Sequence, residues 1–334
     1  MTSSPAPDAD RPDEVSPTAK AGRGRDRPRI LTIGDLMVDV TVLMASDLAR
    51  GTDTPARVRT GWGGSAANVA AWLAAAGTPA AFLGRVGADA FGRAAVDELQ
   101  ASGVRVYAEA DADLPTGTCV VVVHPDGERS MLPDAGANAT LRRDHLDPDA
   151  FAWASHLHLS AYTLFNPHTR AAGLAALARA HEGGLSVSVD AASAAPLAAA
   201  GADHFLEWTA GTALLLTNED EAQALAQPTD AYLTDKSARP AYPPESAAVA
   251  LTSHYPAVVV KLGARGAVWA ARGGETVRVD GTVVEVVDTT GAGDAFAAGC
   301  LAAWLSAAEP KIALEAGTTL AARAVAQLGA RPPG

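Results

Sequence analysis

Residues Asp288 to Gly299 read DTTGAGDAFAAG: a glycine–alanine–glycine turn, an acid directly after it, then alanines and a phenylalanine that begin a helix. The VVEVVD run at 283–288 leads into it and is strand-like, so the local reading is strand, bare-amide turn, helix. Amides at a helix N-terminus carry partial positive charge and suit an anion such as a phosphoryl oxygen. Asp294 then has two roles open. It can cap the helix, a place aspartate favours, or it can accept a proton from a substrate hydroxyl beside a phosphoryl group. The residues by themselves permit both. A Walker phosphate loop is excluded, since no Gly-Lys pair occurs in the chain.

Working outward, RILTIGDLMVDVTVLM (Arg29–Met44) predicts a buried strand, a turn at Gly34-Asp35 and a second extended piece. GWGGSAANVAAWLAAAG (Gly61–Gly77) begins as a glycine turn and continues as an alanine-rich helix. PAAFLGRVG reads as a strand and DAFGRAAVDELQASG as a helix closed by Gly103. After HLHLS (His156–Ser160), helix and strand alternate through LSVSVD, ALLLTN and AVVVKLG, with a Pro-rich loop at 228–244, further β material to Val287 and helices to Gln327. This alternation predicts a three-layer α/β/α sandwich with a mainly parallel central sheet. Two stretches, roughly 38–62 and 104–133, break the rhythm, the second with Asp126-Gly127 placed to turn a hairpin. They are expected to form a small β lid.

The first 27 residues are rich in Pro, Asp, Arg, Ser and Ala, lack an apolar stretch and carry five acids and five bases, so they predict a disordered tail rather than a secretory signal. The net charge of −12 therefore belongs to the folded part, residues 28–334. Such a surface argues against general nucleic-acid binding. No long apolar run predicts a membrane span. Cys119 and Cys300 read as two buried thiols in a reducing cytoplasm. His156 and His158 would share a strand face, where ordinary packing outweighs a metal pair. Gly61 to Ala66 satisfies the relaxed dinucleotide pattern G-x-G-x-x-A and nearly makes a nucleophile elbow at Ser65, but the preceding TPARVRT is too polar for the central strand both motifs need.

Two distant segments together carry a resemblance. DTTGAGDAFAAG is similar to the C-terminal signature of the ribokinase-like (PfkB) carbohydrate kinases, and Gly63 to Gly92 is similar to their N-terminal signature. The pattern can be followed from about Ile30 to Gly329. The resemblance implies a parallel α/β sandwich with a β lid, and an ATP-dependent kinase acting on a primary hydroxyl of a sugar or nucleoside. It implies Asp294 as the base and Gly291, Ala292 and Gly293 as the anion hole. It places Asp39, Gly64 and Asn68 on the acceptor, Asn218 and Glu221 at the phosphates, and magnesium on Glu221 through water. Lys261, Gly263 and Gly266 in KLGARGA would line the nucleotide, and Asp288, Thr290 and Gly329 would hold a monovalent cation, potassium. Pairing of two chains through the lid is a further expectation, as is a cytoplasmic location. Where ribokinase has GGKGAN this chain has GGSAAN, with Ser65 for lysine, and Ser160 or its neighbours stand where ribokinase places an acid after the central strand. Both departures fall at the expected acceptor pocket, so they leave a nucleoside open beside a free sugar. Trp62 could stack on such a base.

Overall fold

The computed structural model describes residues 27–125, 129–226 and 242–333. Residues 1–26 of the expected tail, the Asp126-Gly127 turn and nearly all of the Pro-rich loop lie outside the described residues.

Nine strands form the large sheet, in the order β13-β12-β11-β10-β9-β8-β1-β4-β5. They are β1 (Ile30–Ile33), β4 (Ala80–Gly87), β5 (Arg105–Asp111), β8 (His156–Ser160), β9 (Ser186–Asp190), β10 (Leu214–Asn218), β11 (Ala257–Lys261), β12 (Ala267–Ala271) and β13 (Thr276–Val279). All pair in parallel except the β11–β12 and β12–β13 contacts. Helices cover both faces. On one lie α1 (Ser65–Ala75), α2 (Ala90–Ala101), α10 (Ala292–Leu305) and α11 (Pro310–Val325), packed over Trp72, Phe82, Phe296 and Leu314. The other face carries α3 (Pro148–Trp153), α4 (Tyr162–Phe165), α5 (Arg170–Glu182), α6 (Ala194–Ala200), α7 (Ala202–Trp208), α8 (Glu219–Ala226) and α9 (Pro244–Leu251), over Phe151, Leu164, Phe205 and Tyr255. Coverage on both sides explains why ILTI and AAFLGRVG are buried at every residue.

A separate four-stranded sheet, ordered β3-β2-β6-β7, is built from β2 (Met37–Met44), β3 (Ala56–Gly63), β6 (Gly117–Val123) and β7 (Arg129–Asp134). Here ARVRTGWG finds its place: too polar for the centre of a sheet, it is an edge strand. Two sequence expectations need correction. The 104–133 stretch does not belong wholly to the small sheet, because Arg105–Asp111 is the outer strand of the large one. It is an edge strand with no residue fully buried, which gives it the half-exposed character of a hairpin arm. The VVEVVD run is not a ladder strand either. Val283 is exposed, and the backbone of the segment is tied to the fold at its end, where Val287 and Asp288 donate backbone N–H to Val325.

Inside the sheet, His156 and His158 share hydrogen bonds with Ser186 and Ser188, at 2.7 to 2.8 Å, across the β8–β9 pair. Burial depresses both imidazoles, to about 3 and about 4, so they are neutral packing groups. No group of three metal-ligating side chains gathers among the described residues, and both cysteines are buried and unbonded. Among the described residues no helix is long and apolar enough to cross a membrane.

Trp72 ties the fold to its own C-terminus. Its fully buried indole N–H donates to the Ala330 carbonyl at 2.9 Å. Trp72→Phe removes that donor and part of the packing, and is expected to cost about 1–3 kcal/mol. The urea unfolding midpoint measures it, and an unchanged midpoint would contradict it.

Candidate active site

The C-terminal edges of β9, β10 and β11 present Asp190, Asn218 and Lys261 side by side, with Asn218 directly opposite Lys261 in the register. Ligand crevices in open parallel sheets form outside these edges. Lys261 Nζ reaches Asp190 Oδ2 at 2.6 Å. Burial would drive the ammonium down, but Asp190 and Glu221 beside it raise its pKa, so Lys261 is a held cation. Asp190 also accepts from the backbone N–H of Ala192 at 3.0 Å, a residue turned into the left-handed region at φ 67°.

Across the crevice the turn Gly291–Gly293 opens α10. Gly291 adopts φ 74°, and a Cβ there would fall 2.5 Å from the Ala330 carbonyl, so the turn requires glycine. A Cβ on Gly293 would lie 3.5 Å from Lys261 Nζ, which puts the cation at the mouth of the amide turn. In the first turn of α10, half-buried Asp294 has both oxygens engaged from α1. Ser65 Oγ donates to Oδ1 at 2.9 Å and Asn68 Nδ2 donates to Oδ2 at 2.8 Å. Withdrawal from water raises its carboxyl to about 6, against the lowering effect of the Asn68 bond. The N-cap position is Gly291, and both Asp294 oxygens are engaged by side chains of α1, which decides against the capping role for Asp294.

The side of the crevice toward the small sheet is acidic. Asp39 on β2 faces Gly63, where a Cβ would fall 2.4 Å from either carboxylate oxygen. Burial raises Asp39 to about 6, with Arg331 opposing and Asp294 reinforcing, and burial raises Asp35 likewise to about 6. Gly64 is the residue before α1, and a Cβ there would fall 2.3 Å from the Asp35 carbonyl oxygen. Ser160 and Thr163 offer buried hydroxyls near Gly34, and the Tyr162 phenol, pushed up to about 12 by burial, feels Asp294, Glu221 and Asp35.

Asn218 and Glu221 are brought together as one unit. Asn218 donates its backbone N–H to Glu221 Oε2 at 2.8 Å and its amide to Oε1 at 2.7 Å, while Glu221 returns its own N–H to Asn218 Oδ1. Glu221 is buried, and burial pushes its pKa up with Lys261 opposing. Gly263 and Gly266 bracket the turn from β11 to β12. Asp288, Thr290 and Gly329 also meet: Asp288 Oδ1 accepts from the Thr290 N–H and hydroxyl, and Oδ2 accepts from the Gly329 N–H at 3.0 Å.

Three participants escape the sequence reading. Asp35 and Asp190 carry a signal, since each ends or follows a parallel strand at its C-terminal edge. Arg331 carries none, being an arginine in a short polar terminus.

The arrangement supplies an amide turn with a cation at its mouth, a carboxylate of raised pKa beside it, and acids facing a crevice. The model of the pfkB family carbohydrate kinases matches residues 27–333. The chain belongs to that family and is a phosphotransferase of its class. It is 32% identical over 309 residues to an ATP-dependent ribose-1-phosphate kinase of Halopiger xanaduensis, covering 91% of this chain and 94% of the relative. It is 30% identical over 279 residues to a ribokinase of Schizosaccharomyces pombe, 80% and 82% covered. Among solved structures, the adenosine kinase of Sinorhizobium meliloti superposes with a TM-score of 0.78 at 28% identity, over 92% of this chain and 96% of that one.

Proposed function

We propose that this chain transfers the γ-phosphoryl group of ATP to a primary hydroxyl of a sugar or nucleoside, with Asp294 as the base. The observation that carries the reading is the placement of Asp294 within the first turn of α10, directly after the amide turn, both oxygens oriented by Ser65 and Asn68. Each oxygen keeps a lone pair for the acceptor hydroxyl proton. The amides of Gly291 to Gly293 and the Lys261 ammonium would stabilise charge on the transferring group. Asp39, Gly64 and Asn68 would orient the acceptor, and Gly263 and Gly266 would line the nucleotide.

The Glu221 carboxylate is a hard oxygen donor, already fixed in place by Asn218, and so fits a hydrated magnesium ion. When bound to the phosphates, magnesium offsets their charge, which a protein of net charge −12 needs locally. For potassium we propose the Asp288–Thr290–Gly329 closure. The small sheet ends in edge strands with Val58, Met131 and Leu132 exposed, which supports pairing of two copies there.

A base must be deprotonated to work, so activity is lost as pH falls. With Asp294 raised to about 6, kcat/KM is expected to decline below pH of about 6, by about tenfold per unit. Asp39 and Asp35 titrate in the same range, so the apparent value belongs to the cluster. A profile flat down to pH of about 4.5 would contradict the assignment. The reading itself is tested by a coupled ADP-release screen over pentoses, hexoses, keto-deoxy acids, ribose 1-phosphate and nucleosides, with and without potassium. Acceptor-dependent ADP supports it, and none across the panel refutes it.

A further inference from the structure

Arg331 is 7% exposed and comes from the far end of the chain, yet its guanidinium reaches three separate elements. Nε donates to Asn68 Oδ1 at 3.3 Å, Nη2 donates to the Gly63 carbonyl at 3.0 Å, and Nη1 pairs with Glu98 on α2. The backbone just before it is pinned too, by the Gly329 N–H on Asp288 and the Trp72 indole on the Ala330 carbonyl.

An asparagine amide can turn over with little change of shape, but its two ends differ chemically. Asn68 is buried, with Asp294 on one side and Arg331 on the other. Turned over, it would set its oxygen against the Asp294 carboxylate and its N–H against the guanidinium, losing both bonds and adding two repulsions. A donor-only group behind Asn68 therefore fixes its N–H toward Asp294. The bonds then run in one direction, from guanidinium to amide to carboxylate, each polarising the next. The same guanidinium fixes the Gly63 carbonyl, at the residue whose missing side chain leaves room for Asp39.

We propose that Arg331 is a positioning residue: it locks Asn68 with its N–H on Asp294 and sets Gly63 beside Asp39, so that base and acceptor carboxylate are held by one cation. This rests on the kinase reading above for its catalytic consequence, though not for its geometry. The groups facing Asp294 are Ser65 and Asn68 from α1, Asp190 and Lys261 from the strand edges, Asp39 from the small sheet, the Tyr162 phenol from α4, and Arg331. Loss of the cation and of the oriented donor leaves the acids dominant, which raises the Asp294 pKa.

The test uses Arg331→Met and Arg331→Lys in the full chain. Both are expected to lower kcat by about 10- to 100-fold, while KM for ATP stays within about twofold, because the nucleotide turn is not among the contacts of Arg331. Added guanidinium should restore part of the activity of Arg331→Met. Independently of turnover, 13C-carboxyl NMR, with the Asp294 signal identified by its loss in Asp294→Asn, should titrate at higher pH in both variants, by less in Arg331→Lys, which keeps the charge but loses the fork of donors. A wild-type protein that releases no ADP would refute the kinase reading, and the NMR titration would still decide the role of Arg331. Should Arg331→Met fail to fold, Arg331→Lys, which retains a charge for Glu98, carries both readouts. Lowered thermal stability with kcat and the Asp294 titration unmoved would overturn the proposal, leaving Arg331 a structural tie alone.

Discussion

Asp294→Asn is expected to lower kcat by about 10²- to 10⁴-fold while the fold and nucleotide affinity persist. The substitution is nearly isosteric, and its surroundings can absorb it. The Ser65 hydroxyl can rotate to accept from the new amide N–H, and the amide oxygen can still accept from Asn68. A carboxylate that shares its surroundings with Asp190 and Asp39 is removed, so thermal stability should hold or rise. What is lost is the proton acceptor. Calorimetric titration with nucleotide and an ADP-release assay separate the two effects. Near-normal turnover would show that Asp294 is not the base.

Lys261→Met should act on both turnover and stability. The ammonium sits at the mouth of the Gly291–Gly293 turn, where charge would develop on the transferring group in the proposed reaction, so its loss is expected to cost about 10²- to 10³-fold in kcat. It also leaves Asp190, 5% exposed, without its ion-pair partner and close to Glu221. Breaking a buried pair from one side typically costs about 3–5 kcal/mol. Asp190→Asn combined with Lys261→Met separates the effects, since it removes the orphaned charge. The double variant should regain most of the urea stability and none of the turnover. Recovery of turnover in the double variant would mean that Lys261 serves the fold only.

The parts of the fold carried by local chemistry were legible. The Gly-Ala-Gly turn leading into Ala292–Leu305 follows from bare amides and alanines within one stretch, and the buried parallel strands follow from unbroken apolar runs such as ILTI. The misread segments are those whose state depends on a neighbour. Arg105–Asp111 has the pattern of a hairpin arm because it is the edge of a sheet, and VVEVVD has strand-forming residues without a partner strand beside it.

The candidate site shows the same division. Its residue types could be read along the chain, but the bonds that define it join Ser65 and Asn68 to a residue 229 and 226 positions away. Arg331 acts across 263 positions from a terminus with no regular structure, and no periodicity or spacing encodes that approach. The acidic wall was half legible. Asp39 came from the resemblance, whereas Asp35 reads as an ordinary turn acid until the fold brings its carbonyl up against Gly64, next to the glycine that faces Asp39.

Phosphoryl transfer to an alcohol, with Asp294 as the base, leaves a direct trace in the products. The most direct measurement is 31P NMR of ATP incubated with the wild-type chain and with Asp294→Asn, in the presence of whichever acceptor gives ADP in the screen. The wild type should produce ADP and a phosphomonoester resonance coupled to a CH₂ group in equal amounts, and the variant should produce neither on the same timescale. A wild type that yields inorganic phosphate alone, or a variant that forms the phosphomonoester as fast as the wild type, would contradict it.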